Sequence, residues 1–470
     1  MKLSRRGLAT AVFCASIATT LGCGIAAGGE RFPGTTWERV NPEVAGWAAD
    51  RLAAAEAWSR RISSTSVMVV HHGAVIAEWG DTAAKTPLAS VRKSLLSALI
   101  GIAVERGQID LAQSIGALGI DDNEPSLTAE EKNATVRDLL TSRSGIYHAT
   151  LYESRAMAAQ RPPRFSHKPG SFWYYNNWDF NTLGTIYERA VRSSIFDAFE
   201  REIARPIGMQ DYTPADGEYV TGAASVYPAY PFVMSARDLA RFALLYLNKG
   251  QWAGRQIVPA RWVETSVQPY SRAEWGPGYG YLWWTGPINS GVAPAVNLPD
   301  GTFFAQGTGG QFAFVIPVHD LIVVHRGPHI EGGLANLRTV GRLLWLILDA
   351  GKFPDIGPDA SLEAARGIRA DGDALSRMLT GKTLLYGEAD ARGPTRMRLN
   401  ADGTAAVLRG NEPTELDTGT WSIRENEFCR EWKKLEPRQM CMAAAVTAGL
   451  KIQLFDRMGL MYIEARVVEE

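Results

Sequence analysis

TSVMVVHHGAVIAEW, residues 65–79, is the stretch that decides the fold. Two short runs of β-branched and apolar residues, 65–70 and 74–79, flank His71-His72-Gly73, which supplies a turn. That is the pattern of a β-hairpin. Matching runs return only far down the chain, at 312–317 and 321–325. Helical and loop-rich sequence lies between them: most of 90–208, including Val136-Arg137-Asp138-Leu139-Leu140, and 236–248, closed by Lys249-Gly250. Residues 42–61 and 334–349 read as flanking helices. Strands at both ends with helices between predict an α+β domain. Its antiparallel sheet joins N- and C-terminal segments, is flanked by helices and carries a helical subdomain.

Just after the hairpin, Ser90-Val91-Arg92-Lys93 leads into the apolar run 95–104, which ends in Glu105-Arg106-Gly107. The run reads as a helix with glycine at its stop. Residues three apart share a helix face, so the Lys93 amine can reach the Ser90 hydroxyl. Burial and nearby positive charge would let that amine accept a proton. The Ser90 N–H, near the positive end of the helix dipole, suits a developing oxyanion.

The chain has 470 residues, 46% hydrophobic and 21% charged, with a formal net charge of −1. That composition fits a soluble globular protein of two domains and gives no footing for a nucleic-acid partner. Residues 37–350 form the first domain, the Gly-, Pro- and Asp-rich 351–373 a linker, and 374–470 a small all-β domain. In the last, short runs alternate with the turn dipeptides Asp402-Gly403, Arg409-Gly410, Thr418-Gly419 and Ala448-Gly449, as in a β-meander forming a barrel or sandwich.

The basic start Met1-Lys2-Leu3-Ser4-Arg5-Arg6 and the apolar segment after it predict an export signal over residues 1–28, of twin-arginine type. A periplasmic or cell-envelope location follows. Leu21-Gly22-Cys23 makes Cys23 a candidate lipid anchor. Of four cysteines, Cys429 and Cys441 lie close together and predict a disulfide in an exported protein. The histidines show no metal-ligand spacing; no metal or other cofactor is expected.

Pro169-Gly170-Ser171-Phe172-Trp173-Tyr174-Tyr175-Asn176-Asn177 carries a Tyr-x-Asn in two registers, Tyr174 with Asn176 or Tyr175 with Asn177. A phenol placed there can relay a proton between a serine and a leaving group. Tyr246 and Asn248 repeat the pattern at the end of a patterned helix, where a structural role is expected.

Ser-x-x-Lys followed by Tyr-x-Asn resembles the serine β-lactamase and penicillin-binding superfamily. The similar branch holds class C β-lactamases, D-alanyl-D-alanine carboxypeptidases, family VIII esterases and nylon-oligomer hydrolases. Two further segments resemble it: 136–145 the leucine-rich helix before a Ser-Gly, and 234–242 the helix after the central loop. The family's Leu-Gly lies seven residues past the asparagine, and Gly184 stands seven past Asn177, so the resemblance selects Tyr175 and Asn177. It implies a nucleophilic Ser90, Lys93 and Tyr175 sharing acid and base roles, and Asn177 orienting Lys93 and binding substrate. The family's third motif, Lys-Thr-Gly or His-x-Gly, is matched to Gln306-Gly307-Thr308-Gly309-Gly310-Gln311. Thr308 then takes the place of the cation, Gly309 and Gly310 line the substrate, and the Gln311 N–H joins that of Ser90 as oxyanion hole. Arg326 or His325 could replace the missing charge. Dense aromatics (Trp173, Tyr174, Tyr230, Phe232, Trp275, Tyr279, Trp283 and Trp284) supply core and some pocket wall. The resemblance implies an exported serine hydrolase acting on a small ester or amide. A D-alanyl carboxypeptidase or β-lactamase, or a non-catalytic sensor of the same fold, are the alternatives. Oligomeric state is not legible.

Overall fold

The computed structural model describes residues 31–469 apart from 273–277, 287–295, 331–332, 355, 358–367, 387–392, 411, 436–438, 448 and 457. The expected export signal, Cys23 and Trp275 lie outside the described residues. Among the described residues, no helix is long and apolar enough to cross a membrane.

The opening hairpin forms as read. Strands β1 (Ser66–His71) and β2 (Ala74–Gly80) pair antiparallel around His72 and Gly73, both at positive φ. Gly73 is required twice over, since a Cβ there would lie 2.1 Å from the Arg31 carbonyl oxygen. Six more strands complete the sheet: β3 (Ser271–Arg272), β4 (Gly278–Tyr279), β5 (Trp284–Thr285), β6 (Phe303–Gly307), β7 (Gln311–Ile316) and β8 (Leu321–Arg326). Their order is β2-β1-β8-β7-β6-β5-β4-β3, antiparallel throughout. β1 thus pairs with β8, Val67 opposite His325, so the first and last segments of the domain share the centre of one sheet.

Every residue of β7 and β8 is buried, which is why these strands read as continuous apolar runs. Helix α1 (Ala49–Arg61) packs along α5 (Leu337–Ala350), and α4 (Ala236–Leu247) packs on β1, β7 and β8. Two helices, α2 (Arg92–Glu105) and α3 (Asn177–Val191), meet in the helical part between them. Helix α1 starts later than position 42: Gly46 at φ +84° breaks the backbone, and the Ala48 N–H bonds to the Ala350 carbonyl instead.

The C-terminal part is a barrel. Its nine-stranded sheet closes when Met440–Thr447 pairs with both Glu427–Trp432 and Lys451–Phe455. Ile368–Arg369, within the expected linker, adds to Met440–Thr447 opposite Ala445 and Val446. Leu375 and Leu379, on the helix Gly372–Leu379, join the barrel's apolar filling. The disulfide expected of Cys429 and Cys441 is made, between directly opposed residues. Thr418-Gly419 is a correction: it lies inside the long strand Thr414–Arg424, not in a turn. Gly419 is there for closeness, because a Cβ would come 2.0 Å from the Glu431 carbonyl oxygen. Arg338 of α5 reaches the barrel, its guanidinium 4.5 Å from the Tyr462 ring centroid and 3.7 Å from Asp456.

Candidate active site

Ser90 sits in a single 3₁₀ turn, Ala89–Val91, directly before α2. The residue ahead of it, Ala89, holds φ +49°, a strained conformation for a side chain with a Cβ. Arg326 fixes the approach to this turn. Its guanidinium, 1% exposed, donates to the carbonyls of Met234 (2.6 Å), Thr86 (2.8 Å) and Pro87 (3.0 Å), and to Gln311 Oε1 (2.7 Å). Lys93 lies one turn on, 2% exposed, and its Nζ donates to Ser90 Oγ at 2.7 Å. Burial, and then the charge of Arg92, hold the Lys93 amine well below the usual lysine range.

The tyrosine loop is clasped from the other side. Ser142 Oγ donates to the Tyr174 carbonyl (2.7 Å) and accepts from the Asn176 N–H (3.1 Å), while the Tyr174 N–H bonds to the Ser142 carbonyl. Ser144 Oγ donates to Asp179 Oδ1 at 2.6 Å. The Ser-rich segment after residue 140 is therefore the cradle of this loop. Tyr175 shares the cavity wall with Ser90; burial pushes its phenol up to about 12, with Ser90 and Arg92 pulling the other way. Its ring centroid is 4.9 Å from Lys93 Nζ.

The two registers left open by the sequence separate here. Asn176 is the helix cap: its Oδ1 accepts from the Trp178 N–H and its Nδ2 donates to the Ile146 carbonyl. Tyr174 Oη donates to the Met157 carbonyl. Asn177 begins α3, gives its Nδ2 to the Tyr152 carbonyl and buries an Oδ1 that has no partner among the described residues. Lys93 has its hydrogen bond to Ser90, and none to Asn177 is seen. Tyr246 and Asn248 are structural, Tyr246 buried in α4 and Asn248 donating to the Leu244 carbonyl.

Ser90 opens onto a cavity of about 200 Å³. Its wall is Met157, Gln160, Trp173, Tyr174, Tyr175, Trp284, Gln306, Gly307 and Thr308. No charged side chain is among these. Trp284 stacks on Tyr175 with ring centroids 5.5 Å apart. Tyr230, Phe232, Tyr279 and Trp283 are buried core, so the aromatic stretch divides between wall and interior.

A family model for beta-lactamase matches residues 49–325, more than half the chain. The chain belongs to the beta-lactamase family. An uncharacterized protein of Alkalihalophilus pseudofirmus is 24% identical over 317 residues, covering 59% of this chain and 89% of the relative. Among solved structures, a Bacillus anthracis protein, provisionally named a 6-aminohexanoate-dimer hydrolase, superposes with a TM-score of 0.50 at 21% identity, over 68% of this chain and 89% of its own. The octameric penicillin-binding protein homologue from Pyrococcus abyssi gives 0.49 at 14% identity, over 89% and 99%. At these identities the likeness is one of fold.

Within this beta-lactamase fold the third motif sits differently from the sequence reading. The strand end facing Ser90 is Gln306-Gly307-Thr308; Gly309, Gly310 and Gln311 are not in the cavity wall. Gly309 and Gly310 serve close packing instead, since added Cβ atoms would lie 2.4 Å from His329 Cα and 2.6 Å from Ala335 Cβ. Gln311 is fully buried, its amide donating to the Gly309 and Gly327 carbonyls. Neither proposed replacement cation is available. Arg326 is spent on backbone carbonyls, and His325 bonds to Ser64 Oγ and the Gly310 carbonyl. Burial moreover pushes His325 down to about 4, so it is neutral at pH 7.

Met157 and Gln160 had gone unremarked: both lie in helix Arg155–Gln160, whose short sequence has no period to read. Gly307 is the tightest part of the wall. A Cβ there would stand 2.5 Å from the Leu88 carbonyl oxygen and 3.0 Å from the Ser90 nitrogen. Gly307→Ala should displace the Ser90 turn and, if Ser90 is the nucleophile proposed below, lower kcat/KM by on the order of 100-fold. A variant with wild-type turnover of a nitrophenyl ester would show that the strand yields instead.

Proposed function

We propose that the protein is a serine hydrolase that cleaves a small neutral ester or amide through an acyl-enzyme on Ser90. The observation that carries this reading is the 2.7 Å contact between Ser90 Oγ and a buried Lys93 amine held toward its neutral form. Ser90 attacks the carbonyl carbon and its proton passes to Lys93. Tyr175, which lines the cavity with Ser90, hands a proton to the leaving alcohol or amine. Water then attacks the acyl-enzyme along the reverse path and releases the acid. Two N–H groups are suited to the tetrahedral oxyanion: those of Ser90 and, in place of Gln311, of Thr308. Ser90 stands in the turn before α2, and Thr308 lies in the cavity wall beside it.

The uncharged wall supports the substrate class. A β-lactam or a peptide ending in D-alanine carries a carboxylate, best held by a charge-assisted bond, and among the described residues the cavity wall offers no cation for one. Apolar and aromatic side chains suit an alkyl or aryl acyl group, and a linear amide such as an aminohexanoate oligomer falls within that range. Turnover of a short-chain nitrophenyl ester should exceed that of a chromogenic cephalosporin by at least about 100-fold in kcat/KM. The reverse ranking would overturn the substrate class and return a β-lactamase. Export under the leader at residues 1–28 belongs to the same proposal.

A further inference from the structure

One part of the cavity wall stands apart from the reacting groups. Gly307 lies against the Ser90 nitrogen, and Trp284 stacks on Tyr175. Trp173 packs edge-on to Trp284 with ring centroids 6.2 Å apart, and Tyr174 adjoins Tyr175 in the chain. A change at any of these reaches Ser90 or the phenol as well as the wall. Met157 and Gln160 stand on a different element, the helix Arg155–Gln160. Its backbone is tied down from outside. The Met157 N–H donates to Ser154 Oγ at 3.2 Å, and the Met157 carbonyl accepts from Tyr174 Oη at 2.9 Å. Arg161 Nε donates to Glu153 Oε1 at 3.2 Å, joining the residue after the helix to one before it. A helix this short does not hold itself, so these bonds fix where its side chains stand.

Residues three apart share a helix face, with about 5–6 Å between their Cβ atoms. Met157 and Gln160 therefore line the cavity side by side, and burial gives their order. Met157 is half-buried and Gln160 exposed, so the thioether stands inside and the amide at the mouth. The first is an adaptable apolar surface. The second offers both a donor and an acceptor and carries no charge. We propose that Met157 and Gln160 are the specificity-determining pair of this cavity. They select an acyl chain that is apolar where it passes Met157 and bears an uncharged hydrogen-bonding group, an amide or a hydroxyl, at its outer end. This rests on the acyl-enzyme reading above and narrows its substrate class.

The test uses nitrophenyl esters of acetate, pentanoate and pentanoate with a terminal acetamido group, on the full-length protein. Each variant is read by the ratios of its own kcat/KM values, which a loss of folded protein does not move. Wild type should prefer the acetamido ester to plain pentanoate, and Gln160→Leu should reduce that ratio about three- to tenfold. Met157→Trp, which fills the space, should reduce the ratio of pentanoate to acetate by at least about tenfold. Should that variant not fold, Met157→Ala should lower the same ratio, because the chain loses its apolar contact. A wild type with no preference for the acetamido ester overturns the polar end of the proposal. Folded variants whose ratios coincide with wild type overturn the role of the pair and leave Ser90 as it stands. A wild type that turns over none of the esters and takes no fluorophosphonate overturns the acyl-enzyme reading, and this inference with it.

Discussion

Ser90→Ala should abolish labelling by a fluorophosphonate and lower ester turnover by at least about 1,000-fold, while the protein still folds. The change removes one oxygen in a half-buried turn. Its structural cost is the single bond from Lys93, about 1 kcal/mol or less. Intact-mass spectrometry of treated wild type and variant reads the outcome directly. Labelling that persists in Ser90→Ala would assign the nucleophile elsewhere, and a lowered melting temperature equal to that of a misfolded control would make the loss of activity uninformative about chemistry.

The second large effect concerns stability. Arg326→Met should destabilise the protein by roughly 3–5 kcal/mol, the range for breaking a buried charged network. The new side chain matches much of the volume but leaves the carbonyls of Thr86, Pro87 and Met234 and the Gln311 amide oxygen without their donor. Activity should fall with stability, because Thr86 and Pro87 lead into the Ser90 turn. Burial lowers this guanidinium to about 9, below its value in the unfolded chain, so above that pH the unfolded state binds the extra proton and this group's contribution to wild-type stability should rise with pH. Thermal unfolding of both proteins across pH 7 to 10 reads both effects. A variant melting within 2 °C of wild type, on the order of 1 kcal/mol or less, would show that the carbonyls find other donors.

The parts of this fold that were legible are those whose residues have a reason visible locally. His72-Gly73 announces its hairpin because the turn needs positive φ, and Val67 to Val70 announce a strand buried on both faces. Ser90 and Lys93 meet because three residues make a helical turn. The misread parts depend on what comes from elsewhere. Gly307, Gly309 and Gly310 look alike as sequence, yet one lies against the Ser90 turn and the others against residues 329 and 335. Choosing the wrong one put the strand register off and made Gln311 an oxyanion donor. Gly419 reads as a turn for the same reason, since the Glu431 backbone that demands it is invisible to its neighbours. Arg326 and His325 were plausible charges until the structure showed their donors already engaged. Arg92 stood inside the decisive motif, and nothing in its sequence neighbours marked its burial.

The pairing of β1 with β8 has a consequence for how the molecule comes into being. Ser66 meets Arg326 in that ladder, so the centre of the sheet cannot form until nearly the whole first domain has been synthesised. Contacts of such separation make folding slow. Until β8 arrives the hairpin shows an unpaired apolar edge, a surface that invites aggregation. The same strand delivers the guanidinium that anchors Thr86 and Pro87. A nascent or truncated chain ending before residue 326 would therefore carry Ser90 and Lys93 in sequence without a formed nucleophile, and activity would switch on late, with the closing of the sheet.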